Sequence, residues 1–159
     1  MTEDGIGGMG RGVPQDGGFE LQAEVLGRIA ARILMIAPWC WNQVVVGYTK
    51  IGDNDYGGCE GKAYILGHAP VPYPWDMAKD LSDLFAYLKQ VMAHPEKGTW
   101  LDVEYTITFP DRYSVEYSYG KDDAFEPLPD PSDLRRELQL YPRASKYIPE
   151  WFRKAVEEG

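Results

Sequence analysis

The sequence predicts an α+β fold: an antiparallel sheet of about four strands with helices packed on one face, in the order α-β-β-α-β-β-α-α. Three observations predict it. Two segments repeat their apolar residues at helical spacing. One segment alternates apolar and polar residues with period two. The boundaries carry Pro, Gly and Asp where helices end and strands turn. A chain of 159 residues is long enough for one domain with a core.

Residues 1–18 include seven glycines, and such a stretch buries too little to offset its ordering entropy. It is expected to be a flexible tail, with a single domain over 19–159. The first helix is predicted over Glu20–Ile36, where Leu21, Val25, Ile29 and Ile33 recur every four residues beside Leu26 and Leu34. Arg28 and Arg32 fall on its wet side, and Pro38 ends it. A strand rich in Val44, Val45 and Val46 is predicted over Asn42–Lys50. Gly52–Gly61 is a turn by composition, and a second strand is predicted near Lys62–Gly67. The stretch Pro70–Pro74 is predicted to be an extended linker.

The second helix is predicted from Trp75 or Asp76, with Asp76 as N-cap, and stops before Pro95. Met77, Leu81, Leu84, Phe85, Leu88, Val91 and Met92 fit one face. A hairpin follows. Leu101, Val103, Tyr105, Ile107 and Phe109 point one way, and Asp102, Glu104, Thr106 and Thr108 the other. Beyond a Pro110-Asp111 turn, Tyr113, Val115, Tyr117 and Tyr119 alternate with Ser114, Glu116 and Ser118. One sheet face is therefore core and the other wet and acidic. Asp130-Pro131 supplies an N-cap and a first-turn proline for a third helix carrying Leu134 and Leu138. A last helix begins near Pro149 and carries Trp151, Phe152 and Val156.

Composition narrows the function classes. The net charge is −9, which repels phosphate backbones and anionic lipids and favours a basic protein partner. Direct nucleic-acid and membrane binding are disfavoured on that ground. No apolar signal segment precedes the domain and no apolar run is long enough to span a bilayer, so the expected location is the cytoplasm. Cys40 and Cys59 form no C-x-x-C pair, and Cys40, between Trp39 and Trp41, is expected to be a buried, inert thiol.

Catalytic chemistry finds few carriers. His68 and His94 each lie near a proline at the end of an element, and no nucleophile is nominated beside either. The loop from Asp53 matches a calcium loop only in part, because Gly57 and Tyr64 stand where ligands are needed. The GIGGMG glycines at 5–10 follow no strand, so they fail as a phosphate-binding turn. No enzyme activity, cofactor or metal is expected. Acidic residues instead gather in three places: Asp53, Asp55 and Glu60; Asp102, Glu104 and Glu116; and Asp122, Asp123, Glu126, Asp130 and Asp133, interleaved with Phe125 and three prolines. A proline-stiffened acidic loop that displays an aromatic suits docking on a basic groove; the other reading is a plain connector whose Phe125 packs inward.

The motif order carries a resemblance. A leading helix runs into Ile36-Ala-Pro-Trp39-Cys-Trp41, and Leu81-Ser-Asp-Leu84-Phe-Ala-Tyr-Leu88 follows. Then come Trp100–Phe109, Tyr113–Tyr119, Tyr141-Pro142-Arg143 and Ile148-Pro149-Glu150-Trp151. Over roughly residues 19–156 this resembles the YezG-like immunity (antitoxin) family of bacterial polymorphic toxin systems. The resemblance implies a cytoplasmic protein that forms a heterodimer with a cognate, basic toxin domain and occludes its active site, without turnover. Toxins of this kind often attack nucleic acids. The residues nominated for toxin contact are Asp53, Asp55, Tyr56, Asp102, Glu104, Glu116, Asp122, Asp123 and Phe125. Two other readings stay open: a small-ligand or enzymatic domain, which needs a pocket holding His68 or a carboxylate pair, and an adaptor for a basic partner that is not a toxin.

Overall fold

The computed structural model describes residues 15–37, 40–72, 79–120, 125 and 127–158. It is a mixed α+β fold with an antiparallel sheet of five strands. The first helix, α1, spans Gln15–Ile36. It buries Val25, Ile29 and Ile33 of the predicted stripe, with Ala30 beside them, and leaves Leu21, Leu26 and Leu34 partly buried against the same core. Its start lies ahead of the predicted Glu20, so Gly17 and Gly18 belong to the helix and not to a tail. Two glycines cost about 1 kcal/mol each relative to Ala. Extending an existing helix returns one hydrogen bond per residue, which offsets part of that. The rest of the expected tail, 1–14, lies outside the described residues. Arg32, expected on the wet side, reaches Asp80 of the second helix at 2.7 Å.

Strand β1 (Gln43–Ile51) turns at Gly52-Asp53 into β2 (Asn54–Tyr64). This corrects the reading of 52–61 as a turn and of the second strand as 62–67. Gly52 takes φ +64°, which lets two residues reverse the chain. The polar, Gly-rich stretch is then held by main-chain bonds to β1, with Gly61 opposite Val46 and Glu60 opposite Gly47. A ladder asks little of the side chains, so turn-like composition did not prevent a strand. A register shift between Tyr48 and Lys50 absorbs the mismatch. Part of the expected Pro70–Pro74 linker is a fifth strand, β3 (Val71–Pro72), against Lys62 and Ala63. Proline is tolerated there because the strand is at an edge.

Helix α2 spans Lys79–Val91 and buries Leu81, Phe85, Leu88 and Lys89. Its expected start, with Asp76 and Met77, lies outside the described residues. Strands β4 (Asp102–Thr108) and β5 (Arg112–Ser118) form the predicted hairpin. The sheet order is β3-β2-β1-β4-β5. The hairpin alternation fails at its ends: Phe109 is 63% exposed and meets Trp41 edge-on, while Leu101 leaves the sheet face for a second apolar cluster.

Helices α1 and α2 cover one sheet face. Their stripes meet Val44, Val46 and Tyr48 of β1 and Val103, Tyr105 and Ile107 of β4. Tyr48 stacks on Phe85 with centroids 5.5 Å apart, and Trp100 meets Tyr48 edge-on. Helices α3 (Pro131–Leu140) and α4 (Glu150–Glu158), with a short 3-10 turn at Ser145–Tyr147, gather elsewhere. They close around Ile51 and Leu101 at one end of the sheet, with Leu134 and Phe152. Asp130 caps α3 as predicted, accepting from the Ser132 N–H at 2.9 Å.

A buried polar joint links the two clusters. The Lys89 ammonium lies 2.9 Å from Glu137 and donates to the carbonyls of Lys50 and Trp100 at 2.8 and 2.6 Å. The other Glu137 oxygen accepts the Gly52 N–H at 2.8 Å. Arg143 donates to the carbonyls of Thr99, Tyr119 and Tyr147. Burial pulls Lys89 down to about 8, with Glu137 opposing the shift.

Candidate functional site

On the sheet face opposite α1 and α2, Gln43, Val45, Gly47 and Thr49 of β1 and the even-numbered residues of β4 and β5 are half-buried or exposed, while Ile51 at the end of β1 is buried in the second cluster. Register assembles its side chains into rows. Glu60 of β2, Gly47 of β1, Glu104 of β4 and Glu116 of β5 lie across one row. The next row places Thr49 beside Asp102, whose carboxylate accepts the Thr49 hydroxyl at 2.5 Å. Burial pushes the Asp102 carboxyl up, and that hydroxyl opposes the shift. Toward the other end stand Lys62 with Val45 and Thr106, and then Gln43 and Thr108 with Arg112.

Two features of this face are not explained by folding. Glu104 and Glu116 are direct cross-strand neighbours, and like charges so placed destabilise a sheet. Gly47 sits mid-strand, where glycine also weakens a strand. A Cβ there would meet only the carbonyls of Val103 and Glu60, at 3.8 and 3.9 Å, which is ordinary contact. Crowding therefore does not require the glycine. Its effect is a shallow hollow between Glu60 and Glu104. The row can hold cationic side chains from outside, the Arg or Lys of a docked surface, with the hollow admitting close approach.

The nominated residues divide. Asp102, Glu104 and Glu116 come together on this face. Asp53, Asp55 and Tyr56 do not join them. Asp53 pairs with Arg136 at 2.8 Å, and Asp55 accepts from the Tyr48 hydroxyl at 2.5 Å and pairs with Lys50 at 3.2 Å. The Tyr56 hydroxyl donates to Asp133 at 2.6 Å and accepts the Asp130 N–H at 3.1 Å. Asp53 and Tyr56 fasten the first hairpin to α3, and Asp55 ties the hairpin's two strands together. Phe125 follows the connector reading and packs inward. It is half-buried edge-on against Trp151, at 5.9 Å between centroids. Trp151 is itself anchored by its indole N–H on the Gly120 carbonyl at 2.7 Å. Asp122 and Asp123 lie outside the described residues.

Glu60, grouped in the sequence with the first loop, and Gly47, not singled out there, are the residues missing from the nominated set. Period-two reading of 54–61 would have put Glu60 on the face of Lys62, and a lone glycine inside a valine-rich strand was the signal for Gly47.

The two histidines and two cysteines lie apart from this face. His68 sits exposed in the turn after β2. The His94 ring accepts the N–H groups of Glu96 and Lys97 at 3.1 and 3.2 Å, which ties a turn. Cys40 is exposed at φ +67°, contrary to the buried thiol expected, because its backbone turns out of α1 toward β1. Cys59 is the buried thiol, pushed up to about 11 by that burial. Among the described residues, no group of three His, Cys, Asp or Glu side chains is arranged to hold a metal ion. Nor is any described helix long and apolar enough to cross a membrane. No family model and no curated protein matches the chain.

Proposed function

We propose that this protein is an immunity protein of the YezG-like kind, which neutralises a basic toxin domain by covering its active site with the open sheet face. The observation that carries the reading is the row Glu60–Gly47–Glu104–Glu116, three carboxylates in one line with the hollow at Gly47 between the first two, on the open part of the face. Its cost to the fold is offset when a cationic surface docks there. The net charge of −9 supplies long-range attraction to the same partner. A nucleic-acid-cleaving or nucleic-acid-modifying toxin is the natural match, because its own substrate-binding groove must be basic. Neutralisation is steric and electrostatic, needs no cofactor and takes place in the cytoplasm of the producing cell. Asp122 and Asp123 belong to the contact set through their charge. Asp53 and Asp55 stay in it as exposed carboxylates at the rim, while Tyr56 and Phe125, held by Asp133 and Trp151, contribute less.

The test is co-expression with the toxin domain encoded beside it. Rescue of growth together with a co-purifying complex is the expected result; rescue without a complex rules out occlusion. Glu104→Lys should slow association at low salt by about 10-fold, by loss of steering. Gly47→Val should fill the hollow and weaken the complex while leaving the fold intact. If both variants bind as the parent does, the open face is not the contact surface. A complex that forms only with a basic protein of another kind would favour the adaptor reading.

A further inference from the structure

The two long sides of the sheet are finished differently. On the β2 side, β1 and β2 shift register, β3 is only two residues long, and Pro72 has no N–H to offer. These are the devices that keep an edge from pairing with another chain. On the other side, β5 pairs with β4 over seven consecutive residues with no irregularity. It contains no proline and no glycine, and no described element pairs with its outer edge.

The hydrogen-bond phase of that edge follows from β4. Just outside the two ends of β4, the Phe109 N–H donates to Asn42 and the Leu101 carbonyl accepts from Lys50, which sets the odd-numbered residues of β4 toward β1; the Leu101 N–H departs from this phase and donates to Ser118, because Leu101 lies beyond the strand. Even-numbered residues of β4 and their even-numbered partners on β5 bond to each other. The main-chain groups of Tyr113, Val115 and Tyr117 therefore point outward, and no described strand pairs with them.

We propose that β5 pairs with β5 of a second copy of this chain, antiparallel about a twofold axis at Ser114, to form one continuous sheet. The segment Arg112-Tyr113-Ser114-Val115-Glu116 is self-complementary in this register. Arg112 of each copy stands opposite Glu116 of the other, twice. Tyr113 stands opposite Val115, an aromatic with a β-branched residue, and this pair exchanges the outward hydrogen bonds. An axis at Glu116 or at Arg112 would set like charges against each other. Axes at 113, 115 or 117 bring no opposite charges face to face. Charge thus selects one register, and isologous pairing closes at two copies. This inference does not depend on the toxin reading, since it concerns the protein without any partner. In the dimer the two acidic rows would lie on one extended open face.

Sedimentation equilibrium of the full chain over a concentration series tests it. The parent should be a dimer. Glu116→Arg sets Arg against Arg at both ends and should weaken the dimer about 30-fold or more. Its fold should be unharmed, because Glu116 is exposed and already opposes Glu104. Combining Arg112→Glu with Glu116→Arg should restore the dimer. In a Cys40→Ser background, Ser114→Cys should give a disulfide-linked dimer on mild oxidation, because the axial pair is a close, non-hydrogen-bonded one. Glu116→Cys should not. A parent chain that stays monomeric to its solubility limit overturns the proposal. A dimer indifferent to Glu116→Arg, or a charge swap that fails to restore pairing, overturns it equally.

Discussion

The two apolar clusters of this molecule are held by different means. The larger one, under α1 and α2, is packing: an aliphatic helix stripe on a sheet, with Tyr48 stacked on Phe85 and edge-on to Trp100 at its centre. The smaller one, around Ile51 and Phe152, has four buried apolar residues and leans on polar ties. Lys89–Glu137, Arg143, Tyr56–Asp133 and Asn54–Asp133 join it to the sheet. Dispersion and burial tolerate small shifts, whereas a buried charge does not tolerate losing its partner. The small cluster should therefore be the more specific in geometry and the easier to detach.

The sharpest way to break the contrast is to damage each side once. Phe85→Ala removes the central ring of the larger cluster and should cost about 4 kcal/mol, read from urea unfolding as loss of the whole fold. Glu137→Gln leaves Lys89 buried without an anion and should cost about 3 kcal/mol. Hydrogen exchange should then show α3 and α4 opening while β1 and β4 stay protected. Lys89→Met with Glu137→Leu should recover most of that loss. Equal exchange across the molecule in Glu137→Gln would show that the clusters are one cooperative unit.

A weaker effect concerns pH. The folded Lys89 sits near 8, below the ordinary lysine value of 10.5 from which burial pulls it. Between those values the unfolded chain holds more protons than the folded one, so stability must rise with pH across that window. From pH ~7.5 to ~9 the gain should be about 1 kcal/mol, and Lys89→Met should abolish it. Above that, Cys59 near 11 and Tyr56 and Tyr105 near 12 act with the opposite sign, because the unfolded chain loses those protons first. A flat urea midpoint between pH ~7.5 and ~9 in the parent would mean that the ion pair outweighs burial at Lys89. The smallest effect is local: Tyr56→Phe removes the bond to Asp133 and should cost about 1 kcal/mol, with lost protection confined to the start of α3.

Elements that announce themselves locally were legible in the sequence. The α1 stripe, the β4–β5 alternation and the Asp130-Pro131 cap all depend on residues within a turn or two of each other. What depends on distant partners was not. Residues 54–61 form a strand because of β1, not because of their own composition. Lys89 reads as a solvated helix residue until Glu137 is brought beside it. The acidic row was half visible: alternation placed Glu104 and Glu116 on one face. Adding Glu60, and recognising the hollow at Gly47, required the register of three strands. Phe125 and Tyr56 read as display residues because a sequence does not say which way a loop turns its aromatics.

The strand order has a consequence for synthesis. β1 lies at the centre of the sheet, between β2, its neighbour in sequence, and β4, which arrives much later in the chain. As the chain leaves the ribosome, the first hairpin and both long helices emerge while one flank of β1 has no partner. Val44, Val46 and Tyr48 are then only partly covered, and the β1 flank is open to any passing strand. The interval before β4 emerges is when this protein is most exposed to misassociation, and slowing translation across residues 52–101 should lengthen it.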